Sequence, residues 1–218
     1  MNGKVLKLVD WIFCRAADYG MRIVSFLLRR HQCDTIDDKK IIFVFANDLL
    51  GDTLIKIPFF IALRKEYPKE KFHITMVLSP SNAQMISALG CVDEIIEENP
   101  LHWNHAIFWI FTKNGFLAKS LRWAIGHKVE VAIHCHRARS LGCDFITRLC
   151  SPTISAAYAV DIKTPIFPMS AKYQVRMFDG LYSYLLKSKD GRHQIDDMGI
   201  LLSQVIGHDV RLSAPTYE

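Results

Sequence analysis

No apolar run in the 218 residues approaches the roughly 18 to 20 that a spanning helix needs, so a membrane-crossing segment is not expected. The six cysteines (Cys14, Cys33, Cys91, Cys135, Cys143 and Cys150) lack paired short spacings, and no cleavable leader is expected ahead of them. That pattern argues against a disulfide framework and points to a reducing cytoplasm. No Gly-x-Gly-x-x-Gly follows the first apolar strand, which argues against an ordinary dinucleotide-binding domain. Internal repeats and low-complexity tracts are missing as well. The basic residues form no stripe interleaved with aromatics, and nucleic-acid binding is therefore not expected.

What is present is enough apolar material for one substantial core. Half of the chain is hydrophobic and 22% is charged. From residue 41 the pattern alternates, with strands expected at 41–46, 72–78, 92–96, 129–134 and 154–159. Helices are expected at 53–66, 81–89, 105–125 and 140–150. Strands alternating with helices define an α/β fold with a doubly wound parallel sheet, Rossmann-like in form. The final stretch reads differently: a loop with two prolines over 161–168, then helices at 173–186 and 195–206 around the polar run 187–194, all expected to be connectors. This gives three expected units: an amphipathic helix and linker over 1–38, a Rossmann-like domain over 39–168, and a helical connector over 169–218.

The net charge of +5 is concentrated at one end, since residues 1–30 hold six basic side chains against two acidic ones. On a helical wheel Leu8, Ile12, Tyr19, Ile23 and Leu27 share an apolar arc, whereas Lys4, Lys7, Asp10, Arg15, Asp18, Arg22 and Arg29 share the opposite one. Such a helix suits the headgroup region of an anionic membrane surface, or equally the surface of its own domain.

The most informative segment is 41–68, where an apolar strand runs into a Gly-Asp turn that opens a helix. In an open parallel sheet, ligands gather where strand carboxyl ends meet helix amino ends. Leu50-Gly51-Asp52, Ile57-Pro58, Ala62-Leu63-Arg64 and Tyr67-Pro68 resemble, without gaps, the opening of the heptosyltransferase-like glycosyltransferases of family 9. The resemblance implies the GT-B architecture, two Rossmann-like domains across a cleft, and transfer of a sugar from a nucleotide-sugar to a lipopolysaccharide-like acceptor. Two such domains need on the order of 300 residues, so the chain is expected to supply the amino-terminal, acceptor-binding half of a GT-B enzyme. The donor half would lie in a separate chain or a continuation. The other expectation is a non-catalytic, membrane-peripheral binding module left by truncation.

For Asp52 the resemblance implies the catalytic base that takes the proton of the attacking acceptor hydroxyl. From the residues alone, Asp52 is a favoured helix N-cap ahead of Thr53. Gly51 would let the backbone turn or let the acceptor approach closely. The chain departs from the family just upstream, with Ala46 where Lys or Arg is usual and Asn47-Asp48-Leu49 in place of small hydroxyl residues. Asp48 either raises the pKa of a nearby Asp52 or caps the turn.

A second group, His134-Cys135-His136-Arg137-Ala138-Arg139-Ser140, should open onto the same crevice. Arg137 and Arg139 would bind phosphate or sugar oxygens of the acceptor. Alternatively the stretch is a solvated basic turn in which Arg139 pairs with Asp144; this Arg and Asp resemble a pair found in a branch of the family. A metal site is not expected, because adjacent strand residues point to opposite faces. His102, Trp103, His105 and Trp109 form an aromatic stretch expected to be core or interface. No cofactor is expected beyond the nucleotide-sugar substrate, by resemblance one like ADP-heptose. The expected partners are a lipid-linked glycan acceptor, an anionic membrane surface met by residues 1–30, and a donor-domain chain. The expected location is the cytoplasm, peripheral on the inner face of the membrane.

Overall fold

The computed structural model describes residues 3–46, 49–98, 118–136, 139, 141–159, 178–189 and 191–213. Ile41 to Ala46 is buried on both faces, the mark of a central parallel strand, and all of it but Ala46 lies in β2 (Lys39–Phe45). Alternation then sorts its side chains. Ile42, Val44 and Ala46 enter a core under the helices on one face, and Ile41, Phe43 and Phe45 enter a second core on the other. The strands β3 (Phe72–Leu78), β4 (Glu94–Glu97), β5 (Val131–His134), β6 (Ile154–Tyr158) and β7 (Tyr184–Leu186) run parallel to β2 in the order β4-β3-β2-β5-β6-β7. A short β1 (Thr35–Ile36) pairs antiparallel with the start of β2. The order reverses direction between β2 and β5, paired as Phe45 with His134, and this reversal is where the doubly wound fold opens a crevice.

The helix expected over 53–66 is two helices, α2 (Leu50–Ile55) and α3 (Ile57–Glu66). The cause is Pro58, which has no N–H to give the Leu54 carbonyl and favours the first turn of a new helix. The junction falls on Lys56, whose carbonyl accepts from Phe60 at 3.1 Å. Around the sheet lie α1 (Gly3–Leu28), α4 (Pro80–Ala88), α5 (Ala118–Gly126), α6 (Leu141–Cys150) and α7 (Gln194–Ile206).

Two parts of the fold differ from the sequence reading. Of the helix expected over 173–186, the described residues 178–186 form instead a 3₁₀ turn at Asp179–Leu181 followed by β7, which adds a sixth parallel strand by pairing Ala156 with Tyr184. Three residues, Tyr184 to Leu186, are too few for any periodicity to register, and Gly180 breaks the helical run before them. The 1–38 segment is not set apart from the domain: β1 joins the sheet, and Met21 and Leu28 of α1 pack onto the second core. α7 closes the opposite face with Met198, Leu201, Leu202 and Val205, and ends at Gly207, whose φ of 83° is the left-handed cap conformation. The loop 161–168 and the aromatic stretch of His102, Trp103, His105 and Trp109 lie outside the described residues.

Candidate active site at the β2–β5 crevice

The part of the motif from Ile57 to Pro68 can be assigned structural tasks. Leu63 is fully buried, and Tyr67 packs edge-on against Phe72 with ring centroids 4.9 Å apart. Arg64 donates to the carbonyls of Cys91, Tyr67 and Phe72 and pairs with Asp93, tying α3 to the β3–β4 connection. Pro58 starts α3. These residues build the fold.

Gly51 and Asp52 have no such task. The N-cap position of α2 belongs to Leu49, with extended backbone and no side-chain cap, and Thr53 N–H donates to the Leu49 carbonyl at 3.0 Å. Asp52 is therefore the third residue of the helix and not its cap. A carboxylate there is favoured by the helix dipole, yet it is exposed and takes no hydrogen bond or ion pair among the described residues. Gly51 is helical and not in a left-handed turn, and a Cβ added to it would meet nothing within 4 Å. The space in front of this turn is open. Its floor is held by Thr53, whose buried hydroxyl donates to the Leu49 carbonyl at 3.1 Å and accepts from Asn82 Nδ2 at 2.7 Å. Leu49, Leu50 and Leu54 are exposed around it and form an apolar rim.

Behind Asp52 lies a lysine that the sequence reading did not single out. Lys56 is 1% exposed at the α2–α3 junction, one helical turn after Asp52. Burial lowers its pKa from the usual 10.5 to about 8, with Cys135 opposing. At the end of β5, burial pushes the Cys135 thiol up to about 12. His136 is also buried, and burial first, then Lys56, hold it well below the usual 6.5 against the opposing pull of Asp52. Asp52, Lys56, Cys135 and His136 thus form one electrostatic neighbourhood, built from the carboxyl ends of β2 and β5. Lysine burial could not be read from a single isolated Lys in an amphipathic pattern.

The group after β5 turns inward. Arg139 is 1% exposed, with Nε 3.0 Å from Asp144 Oδ1, Nη2 2.6 Å from Asp179 Oδ1, and its guanidinium 4.7 Å above the Tyr182 ring. This is the Arg139–Asp144 pairing, extended by Asp179. Tyr182 donates to Asp144 Oδ1 at 2.6 Å, and its hydroxyl lies 3.3 Å from His134 Nε2, which meets Thr147 Oγ1 at 2.6 Å. Burial raises the Asp144 carboxyl to about 7, while Arg139 pulls it back. His134 is held well below 6.5 by burial and then by Arg139. This network fixes the exit of β5, the start of α6 and the 3₁₀ turn to one another. Asp48 and Arg137, the other expected substrate contacts, lie outside the described residues. Among the described residues no three His, Cys, Asp or Glu side chains are grouped to hold a metal ion, and the cysteines at 33, 91, 135, 143 and 150 are free thiols.

A doubly wound sheet with its open turn at the β2–β5 reversal is the fold of the heptosyltransferase-like glycosyltransferases. Among solved structures, the glycosyl transferase family 9 protein of Veillonella parvula DSM 2008 matches with a TM-score of 0.58 at 19% identity, over 84% of this chain and 46% of that one. The E. coli heptosyltransferase WaaC with ADP matches with a TM-score of 0.51 at 15% identity, over 82% of this chain and 50% of that one. The chain spans about half the length of these structures. At these identities the likeness is one of fold. No protein-family model matches the sequence, and no curated protein matches it.

Proposed function

We propose that this chain forms the acceptor-binding half of an inverting glycosyltransferase of the heptosyltransferase type, with Asp52 as the catalytic base. One observation carries the reading. The residues of the 50–68 motif divide into those from Ile57 onward, which pack or pair, and the exposed turn Leu50-Gly51-Asp52, whose only charged group, Asp52, faces open space. A carboxylate kept exposed at the switch point, with no hydrogen bond or ion pair among the described residues, is placed to receive a proton.

In the reaction the acceptor hydroxyl oxygen attacks the anomeric carbon of a nucleotide-sugar as the bond to the nucleotide diphosphate breaks. The hydroxyl proton passes to an Asp52 oxygen, and the leaving diphosphate carries away the bonding pair. Gly51 gives the acceptor close access to the turn. The apolar rim of Leu49, Leu50 and Leu54 suits an acceptor with a lipid or otherwise apolar portion, as a lipid-linked glycan has. Arg137 is the proposed contact to acceptor phosphates. Arg139 acts through the Asp144–Tyr182 network that positions this loop. Binding of the nucleotide-sugar, one like ADP-heptose, belongs to a second Rossmann-like half outside this chain.

The test is to combine the chain with a donor half and measure transfer to lipid-linked acceptors for wild type and Asp52→Asn. Loss of turnover with intact acceptor binding supports the assignment. Equal turnover in both proteins removes Asp52 from the mechanism.

A further inference from the structure

α1 is docked onto the domain by its polar side. Asp18 is buried and accepts from Arg148 Nη2 at 3.0 Å and from Arg22 Nε at 2.9 Å. Ser25, also buried, donates to the Arg148 carbonyl at 3.0 Å and meets Ser151 Oγ at 2.7 Å. Just past the helix, Gln32 Nε2 donates to the carbonyls of Ala124 and Leu149, at 2.8 and 2.9 Å. Among the described side chains of α1, Met21 and Leu28 add apolar contact to the second core.

The consequence is an inverted surface. A helix lying on its own domain normally buries its apolar stripe and exposes its charges. Here Ile12, Tyr19, Ile23, Phe26 and Leu27 are each more than half exposed, on the side turned away from Asp18 and Ser25. At 100° per residue, Arg15 and Arg22 lie along the border between the docked side and this apolar stripe, while Arg29 and Arg30 follow the helix end at Leu28, Arg29 Nε donating to Ser151 Oγ at 3.1 Å. All four arginines are exposed as residues. An apolar stripe containing Tyr and Phe, edged by positive charge, matches an anionic lipid surface: the rings and aliphatic chains enter the headgroup boundary and the guanidinium groups meet lipid phosphates.

We propose that the outward face of α1 is a docking surface for an anionic bilayer, held rigidly to the α/β domain by Asp18, Ser25 and Gln32. Polar pins fix the helix against α6, so binding the bilayer also sets the orientation of the domain. The proposal goes beyond the transfer reading and holds whether or not Asp52 is a catalytic base. Charge selects the bilayer over a second copy of the chain, because two copies of this face would bring like charges together.

The experiment is co-flotation of the purified chain with phosphatidylcholine vesicles, with and without phosphatidylglycerol. Binding is expected only to the anionic vesicles and should fall steeply as salt is raised. Ile23→Glu with Phe26→Glu should lower the bound-to-free ratio on the order of tenfold or more, with the thermal midpoint unchanged because both side chains are already in solvent. Tyr19→Ser, a milder change on the same face, should show a smaller loss in the same direction. Equal binding to both vesicles, or binding to neither, overturns the proposal. So does a wild-type dimer that Ile23→Glu with Phe26→Glu converts to a monomer without vesicle binding, which assigns the face to a second copy.

Discussion

Asp52, within α2, and Lys56, its C-cap, stand one helical turn apart, the carboxylate in solvent and the ammonium almost fully enclosed. Ala46 occupies the place where family 9 usually carries a cation, and here a positive charge reaches the same crevice from beneath the helix. The two residues call for different experiments, because one is free to meet a substrate and the other is committed to the interior.

For Asp52 the expected result is chemical. Asp52→Asn keeps the size and polarity of the side chain and removes the proton acceptor. In the presence of a donor half, turnover should fall roughly a hundredfold or more, the usual scale for a lost general base. Chemical denaturation should give a stability within about 0.5 kcal/mol of wild type, since Asp52 is not the N-cap and pairs with no cation among the described residues. A loss of stability with unchanged turnover would make it a structural residue.

For Lys56 the expected result is a pH dependence of folding. Its folded-state pKa of about 8 lies below the usual 10.5, so between these values the unfolded chain holds a proton that the folded chain has released. The unfolded state then binds more protons, and stability rises with pH. Relative to Lys56→Met, wild type should therefore gain up to about 3 kcal/mol between pH 8 and pH 10.5, and nothing between pH 6 and pH 8. Urea titrations of both proteins at these pH values measure the difference. A constant difference would mean that the amine is solvated.

Arg139 was legible as a candidate, but its burial was not. Removing the guanidinium leaves Asp144 enclosed and Asp179 without its 2.6 Å partner. Arg139→Met should cost about 3–5 kcal/mol, as expected when one member of a buried pair is lost. Arg139→Lys should fail to restore it, because a single ammonium does not reproduce the two contacts and the stacking on Tyr182. Were Arg139 an exposed substrate contact, either change would leave stability within about 0.5 kcal/mol. Denaturant midpoints separate these outcomes.

How far the sequence could be read depended on the range over which each signal acts. The run Ile41 to Ala46 announced a central strand because both its faces are buried, and every residue in it is apolar. The motif from Leu50 to Pro68 located the crevice because its spacing is local. The break at Lys56 was also encoded locally, by Pro58, but was hidden by the continuous helical pattern on either side of it. β7 was lost because three residues carry no periodicity, and its strand character comes from pairing with Ala156 to Tyr158. Lys56, His136 and Tyr182 became informative only when distant segments met: Tyr182 lies 38 residues from Asp144, to which it donates. The wheel separated the two faces of α1 correctly, yet it could not say which face the domain would take. That choice was made by Arg148 and Ser151, more than a hundred residues away.

The chain taken alone should not transfer sugar. Departure of a nucleotide diphosphate needs preorganised donors aimed at the developing charge, and such stabilisation is usually the largest single contribution to catalysis. The crevice offers a proton acceptor and an apolar rim, while its described cations are enclosed: Lys56 and Arg139 are each 1% exposed. Neither can reach a diphosphate in solvent without unfolding its surroundings. Purified chain incubated with nucleotide-sugars and a lipid-linked acceptor should release no nucleotide diphosphate above background, whereas adding a donor half should restore release that depends on Asp52. Robust release from the chain alone would mean that donor and acceptor share this one domain, and the assignment of Asp52 to an acceptor half would fall.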